Sequence, residues 1–394
     1  MNHSPKRILI FSLAYYPRYI GGAEVAVKEI TDRIDPKMYE FDMVTLDPEG
    51  PRYEKIGNVH VYRIGGRWIH KVVFLGKLYK YIFIFQAFYK ACVLHRKRRY
   101  DGIWSIMANY AGFAALFFKL QFPRVPFLLT LQEGDPIAYI KRRVAIVYPL
   151  FVLIFKKADR IQAISRYLAD IALSLGFTKK PVVVPNGVSI NHFSVEISGA
   201  RRIELRSTYG LSPDDVVLCT ASRLVIKNAV GDIIDALAFL PSNYKLVIAG
   251  VGELEPILRQ KASQYGSRVL FMGFVPHSDL PSVFALSDVF VRPSLSEGLG
   301  NACLEAMAAK LPVVATDVGG IKDFLFDMCT GLVCEPANPK SIAEKVKMLS
   351  DASLRKTIIE QAHILVVTLY DWNQIASHIE HEFTALTSHA RVAV

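Results

Sequence analysis

The strongest constraint on this chain is a regular alternation of short apolar runs with amphipathic helical stretches, repeated in two cycles. RILIFSLA has the length of a strand buried on both faces. It ends in YYPRYIGGAE, and Gly21 and Gly22 open the helical pattern AEVAVKEITDRI. FDMVTL, VHVYRI, YDGIWSI, PFLLTLQ, DRIQAIS and PVVVPNGV continue the series, with helical patterns between most of them. A second cycle begins near Val216 with DVVLCTASRL and runs through YKLVIAG, RVLFMGF, DVFVRPS and PVVATDV, with a helical pattern between each strand and the next. This rhythm predicts an α/β chain with two doubly wound, Rossmann-like parallel sheets. The polar stretch Ser189–Pro213 reads as the linker, giving an N-terminal domain over 1–195 and a C-terminal one over 196–365. A helical tail follows over 366–394. Open parallel sheets bind ligands beyond the carboxyl ends of their strands, so two of them predict a cleft that brings two substrates together.

The 394 residues are 52% hydrophobic, with no low-complexity tract and no repeat of 20–50 residues, which excludes disordered, collagen-like, coiled-coil and solenoid classes. Five scattered cysteines without a CxxC pair argue against a zinc site or a disulfide framework, and no metal is expected. The first apolar run is seven residues long and is followed by YYPRY, which does not fit a signal peptide. A reduced, cytoplasmic protein is the expectation.

Charge is concentrated. Between Lys55 and Tyr100 there is no Asp or Glu, and eleven basic residues fall there, equal to the whole net charge of +11. The segment is also aromatic, as in KLYKYIFIFQAFYKACVL, and predicts a face lying on an anionic membrane, hence a peripheral protein on the inner membrane surface. A transmembrane helix over Val72–Leu94 is the alternative, but Lys77, Lys80, Gln86 and Lys90 interrupt it, each central lysine costing about 2.5–3.5 kcal/mol. A solvated basic helix is the plainest alternative. No recognition motif accompanies the patch, so nucleic acid is not expected as a partner.

The densest chemical signal is VRPSLSEGLGNACLEAMAAKLPVVATDVGG. Glu297 and Glu305, eight positions apart, would be about 80° out of register on one helix. Gly298 and Gly300 resolve this: Glu297 belongs on a loop, a helix begins near Asn301, and Glu305 sits one turn inside. Backbone N–H groups of Gly300, Asn301 and Ala302 would then face a phosphate, and Glu305 would accept from a ribose diol.

This segment resembles the E-x7-E motif of retaining GT-B glycosyltransferases, especially glycosyltransferase family 4. GGAE, QAISRYLAD, VPNGV, SRL with a nearby lysine, KLVIAGVGE, VLFMGFVPHSDLPSVFALSDVFVRPSLSEG, ATDVGGIKDF and GLVCEPANPKSIAEKV follow the family in order. The resemblance implies two domains facing across a cleft, with the C-terminal DWNQIASHIEHEF returning to the N-domain and Trp372 and Phe383 in its core. It implies transfer of a sugar from a UDP- or GDP-sugar to an acceptor hydroxyl, with retention and without metal or other cofactor. Arg223 would bind the diphosphate, where a planar fork suits phosphate oxygens. Lys227 would assist it, although the family's lysine column holds Asn228. Glu297 would lie near the donor sugar, with Gly298 and Leu299 on the donor loop and Glu305 on the ribose. Gly21 and Gly22 would close over the donor phosphates, and Gly319-Gly320 would lie close by. Glu253 is an open case, and His192 and His277 are expected on the surface.

On the acceptor side the family often carries a histidine where this chain has Gln132, followed by Glu133. Glutamine cannot titrate, so Gln132 is expected to position the acceptor, with Glu133 as a second polar contact or a loop cap. The expected acceptor is a lipid-linked or cell-surface glycan precursor. A soluble transferase acting on a small sugar or sugar phosphate, and a silent nucleotide- or glycan-binding protein, are the alternatives.

Overall fold

The computed structural model describes residues 4–65, 79–195 and 197–388. The chain forms two units: Met1–Asn186 with Trp372–Val394, and Gly187–Asp371.

The first unit is built on eight strands: β1 (Lys6–Phe11), β2 (Tyr39–Leu46), β3 (Tyr53–Ile56), β4 (Val59–Ile64), β5 (Gly102–Ile106), β6 (Phe127–Leu131), β7 (Arg160–Ala163) and β8 (Val182–Val183). Their order is β3-β4-β2-β1-β5-β6-β7-β8, and every pairing is parallel except β3 with β4. Ile8 through Phe11 and all of β5 and β6 are buried, which is why they read as unbroken apolar runs. The edge strand β3, YEKI, alternates exposed and half-buried residues and carries no apolar run to announce it.

Helices α1 (Gly22–Arg33), α2 (Tyr79–Arg98), α3 (Tyr110–Gln121), α4 (Ile137–Arg143), α5 (Tyr148–Lys157) and α6 (Arg166–Ser174) belong to this unit. The second unit contributes α7 (Gly199–Thr208), α8 (Val230–Ala236), α9 (Glu255–Ala262), α10 (Leu280–Leu286), α11 (Asn301–Ala308), α12 (Pro339–Met348) and α13 (Ala352–Leu369). The last helix, α14 (Trp372–Ser388), is part of the first unit. Trp372, Ile375, Ile379, Phe383 and Leu386 recur at helical spacing and enter the core beneath Trp104, whose ring meets Phe383 edge-on at 5.1 Å. Each such side chain contributes about 1.5–3 kcal/mol on burial. The buried Glu382 carboxylate accepts from Arg160 Nε at 2.6 Å, so the helix is held by charge as well.

The second unit's strands are β9 (Val216–Ala221), β10 (Tyr244–Ala249), β11 (Val269–Gly273), β12 (Val289–Arg292), β13 (Val313–Ala315) and β14 (Leu332–Val333), in the order β11-β10-β9-β12-β13-β14, all parallel. The crossing into this unit falls at Asn186–Gly187, earlier than 195, and the return at Asp371–Trp372, later than 365. The reason is packing. The one-turn helix Ile190–Phe193 sets Phe193 against Phe284, and Val188 donates its N–H to Tyr370 at 2.6 Å. The polar stretch read as a linker also contains α7, whose Arg202 and Arg206 grip Asp288 at 2.7 and 2.6 Å. Burial alone would push the Asp288 carboxyl up. Val217 N–H and the two guanidinium groups hold it below the usual range.

Among the described residues no helix is long and apolar enough to cross a membrane. The basic segment is not uniformly free. Arg67, Lys71 and Lys77 lie outside the described residues. Arg63 is buried and pairs with Asp47 and Glu54, and Arg98 bonds both Asp42 oxygens at 3.1 Å. Lys55, Lys80, Arg96, Lys97 and Arg99 are exposed.

Candidate active site

In the second unit the predicted residues gather beyond the carboxyl ends of β9, β10 and β12. β9 ends at Ala221, and Ser222–Leu224 lead into a single 3-10 turn over Ile226–Asn228. This loop is tied to the one after β10: Ser222 N–H donates to Ala249 O at 2.9 Å, and Leu224 N–H to Val251 O at 3.0 Å. Gly250 has φ +146°, and a Cβ there would stand 1.8 Å from Ser222 O; one at Gly252 would stand 2.3 Å from Leu224 O. The glycines of AGVGE are therefore needed for backbone-to-backbone contact, and that contact fixes the segment carrying Arg223. Arg223 itself is exposed, Lys227 is half-buried and Glu253 is exposed.

Asn228 takes a structural place. It is buried, its Nδ2 donates to Arg223 O at 2.6 Å, and its Oδ1 accepts from Arg292 at 3.3 Å. The amide is thus spent inside the protein, on the backbone of its own turn and on Arg292.

Glu297 lies on the loop between β12 and α11. Its Oε1 accepts from Arg292 Nε at 2.9 Å, from a second Arg292 nitrogen, and from Ser294 Oγ at 3.0 Å. Arg292 also donates to Ala221 O at 3.2 Å. One half-buried guanidinium therefore joins the end of β9, Asn228 and Glu297. Nothing in the sequence singles out Arg292 beyond a lone charge closing the apolar strand VFVR, five residues ahead of Glu297.

The Glu297–Leu299 backbone rests on the Gly319-Gly320 turn. Gly319 has φ +55°, and a Cβ there would stand 1.9 Å from Glu297 O; one at Gly320 would stand 2.1 Å from Gly298 O. Gly300, φ +98°, is the N-cap of α11 with no side-chain cap, and the helix has no acid in its first turn. Asn301 and Ala302 are its first two residues, and Leu299 is buried just before it. Glu305 follows one turn in, and its Oε1 lies 3.0 Å from His277 Nε2. His277 is thus not an idle surface residue. His192 Nε2 lies 3.2 Å from His277 O, and the two rings stack at 5.8 Å.

The first unit arranges its candidates differently. Gly21 is the extended N-cap of α1, and its N–H is taken by Glu24 Oε2 at 2.9 Å in a capping box. Gly22 is the first residue of the helix, exposed like Gly21. Gln132 follows β6, with its Oε1 accepting from the buried Asn186 at 3.3 Å. Glu133 acts as a loop cap: Oε1 accepts from Ala108 N–H at 2.7 Å and Oε2 from Gln132 N–H at 3.0 Å. Burial pushes its carboxyl up, against these backbone donors that lower it. Among the described residues no group of three or more His, Cys, Asp or Glu is placed to hold a metal ion.

Two families match the chain in tandem: Glycosyltransferase Family 4 over residues 20–192, and Glycosyl transferases group 1 over residues 201–364. An uncharacterized glycosyltransferase of Methanocaldococcus jannaschii is 29% identical over 381 residues, covering 94% of this chain and 96% of its own. The GDP-mannose-dependent alpha-(1-6)-phosphatidylinositol monomannoside mannosyltransferase of Mycobacterium tuberculosis is 31% identical over 209 residues, covering 50% of this chain and 54% of its own. Among solved structures, Anabaena HepE in complex with UDP and glucose superposes with a TM-score of 0.77 at 21% identity, covering 97% of this chain and 100% of that one.

Proposed function

The chain belongs to the GT-B glycosyltransferases and uses a nucleotide sugar, and from that premise we propose that it transfers the sugar from a UDP- or GDP-sugar to an acceptor hydroxyl without metal and with retention. The observation that carries this reading is the glycine-packed end of the second unit's sheet, where Arg223, Lys227, the Glu297 loop and Glu305 share one edge.

In this reading charge builds on the leaving diphosphate as the glycosidic bond breaks. Arg223 and Lys227 neutralise it, helped by the start of α11 at Gly300, Asn301 and Ala302. Glu297 offers a donor-sugar hydroxyl the oxygen that Arg292 does not hold, and Glu305 accepts from the ribose diol. The acceptor oxygen attacks on the face the diphosphate leaves, and its proton passes to the leaving phosphate. No protein base is required, which suits Gln132. In the first unit, Gly21 and Gly22 contact donor phosphates once Glu24 releases the Gly21 N–H, and Gln132 positions the acceptor. Glu133, occupied by backbone, is assigned to holding that loop.

The acceptor is proposed to be lipid-linked. The relative from Mycobacterium tuberculosis is named for a phosphatidylinositol acceptor, and the first unit has a surface suited to a membrane. Tyr81, Phe85 and Tyr89, exposed by 49%, 64% and 71%, form a stripe at i, i+4 and i+8 along α2. Ile146, 99% exposed, follows the exposed Lys141, Arg142 and Arg143 of α4, and Tyr81 reaches Tyr110 edge-on at 5.3 Å. Exposed aromatics beside basic residues fit an anionic interface. Binding to phosphatidylglycerol vesicles is expected, and it should weaken in 0.5 M salt, where screening is nearly complete.

The decisive test is a melting and hydrolysis screen against UDP-, GDP-, ADP- and TDP-sugars with EDTA present. A selective rise in melting temperature with slow release of one nucleoside diphosphate is expected. Activity that requires added divalent metal would overturn metal independence. An α-configured donor yielding a β-linked product would overturn retention.

A further inference from the structure

We infer that His277 is a positioning residue for donor binding: it holds the Glu305 carboxylate in place for the nucleotide ribose. The inference rests on the reading of Glu305 as the ribose ligand, and the test below separates the two.

The geometry is specific. Glu305 projects from the second turn of α11, and its neighbours Cys303, Leu304, Ala306 and Met307 are buried, so the helix itself is fixed. The carboxylate at the end of two methylenes is not fixed by that. Left alone it would sample rotamers, and a hydrogen bond to ribose would have to order it on binding. His277 supplies the restraint, with Nε2 3.0 Å from Oε1. The imidazole is restrained in turn. It stacks on the His192 ring at 5.8 Å with 23° between planes, meets the Phe193 ring edge-on at 5.3 Å, and its backbone carbonyl accepts from His192 Nε2 at 3.2 Å. Phe193 is buried against Phe284 of α10. A chain of contacts thus runs from the core through Phe193 and the histidine pair to one oxygen of Glu305, leaving the second oxygen and the remaining lone pairs for the diol. A preorganised acceptor binds more tightly than a mobile one because less freedom is lost on binding.

The test uses His277→Phe, which keeps the ring contacts and removes the donor, and His277→Gln, which keeps an N–H donor. UDP and GDP are each titrated calorimetrically into wild-type protein and every variant, and donor KM and kcat are measured with the sugar donor that the nucleotide-sugar screen selects. For His277→Phe the nucleotide Kd and donor KM should rise about tenfold, the size expected for a hydrogen bond to a charged group. The value of kcat should change less than twofold, and His277→Gln should recover most of the affinity. In an Glu305→Ala background His277→Phe should have no further effect. If Glu305→Ala weakens nucleotide binding while His277→Phe leaves it unchanged, the positioning role is overturned. An equal loss from His277→Phe with and without Glu305 would overturn it too, since His277 would then touch the nucleotide itself. If Glu305→Ala leaves affinity unchanged, it is the ribose reading that fails. Should His277→Phe fold poorly, His277→Ala serves in the same cycle.

Discussion

Each unit opens a helix on a glycine behind a buried parallel strand, and the two helix starts are finished in opposite ways. In α1 the third residue is Glu24, whose carboxylate turns back onto the Gly21 N–H. In α11 the third residue is the buried Cys303, Gly300 has no side-chain cap, and the first turn holds no acid. The first start is satisfied by its own sequence. The second has no such acid, and in the proposed reading its positive end faces the donor phosphates, with Arg223 and Lys227 at a neighbouring strand end. The same contrast extends to the loops. Glu133 in the first unit spends both oxygens on backbone N–H groups, whereas the second unit secures its loops by glycine contacts and one buried ion pair, leaving Arg223 exposed. Rigid backbone beneath the exposed Arg223 suits a fixed anionic ligand.

The buried ion pair is the place where this contrast breaks most severely. Arg292→Ala leaves the Glu297 carboxylate buried without its partner, at a cost of about 3–5 kcal/mol. Thermal unfolding should show a large drop and turnover should vanish. Adding Glu297→Gln to Arg292→Ala should restore part of the stability and none of the turnover. Wild-type stability in the single variant would mean that the pair does not hold this loop.

Arg223→Ala should leave stability unchanged, because the side chain is exposed. Turnover should fall more than tenfold, on the order of 2 kcal/mol or above. A loss below twofold would assign the diphosphate to another residue. Between the helix starts an exchange of character is the sharper probe. Ala302→Glu puts an acid into the first turn of α11, which should raise stability by about 0.3–1 kcal/mol and weaken nucleotide binding by about tenfold. Glu24→Ala removes the acceptor from the α1 capping box and should lower stability by about 0.5–1 kcal/mol. If the first substitution leaves nucleotide affinity intact, the start of α11 is not where the phosphates bind.

Much of this was legible in the sequence, for identifiable reasons. Strands buried on both faces announce themselves as apolar runs, so β1, β5, β6, β9, β10, β12 and β13 were visible; the half-buried edge strand β11 was legible from its run VLFMG, as was the start of α11 near Asn301. The edge strand β3 was not, because YEKI buries little, nor was the two-residue β14. The E-x7-E segment could be placed on a loop and a helix because Gly298 and Gly300 break the register. What stayed hidden were pairings across long separations. His277 meets Glu305 28 residues later, and Arg292 meets Asn228 64 residues earlier. No spacing rule connects such residues. The Ser189–Pro213 stretch looked like a linker because α7 is strongly polar, but its arginines are interior partners of Asp288. The basic count over 55–100 likewise included Arg63 and Arg98, which composition cannot distinguish from exposed charges.

The smallest effect tests the self-capped character of the first unit through pH. Burial raises the Glu133 carboxyl above its ordinary 4.5, with Asp135 adding to the rise. The folded state therefore holds this proton more tightly than the unfolded chain does. Such a group contributes its full stability below 4.5, and the contribution is lost as pH climbs through the raised folded value. Glu133→Gln has no proton to lose. It keeps one acceptor oxygen for a backbone N–H and gives up the second, so near pH 4.5 it should be less stable than wild type by about 1 kcal/mol, one neutral hydrogen bond. As pH rises, the wild type alone carries the growing cost of a buried charge, so the gap should narrow. Melting temperatures of both proteins measured in steps from pH 4.5 to pH 8 report this directly. A gap that widens instead would mean that the backbone donors of Ala108 and Gln132 outweigh burial. Glu133 would then be a stably ionised cap.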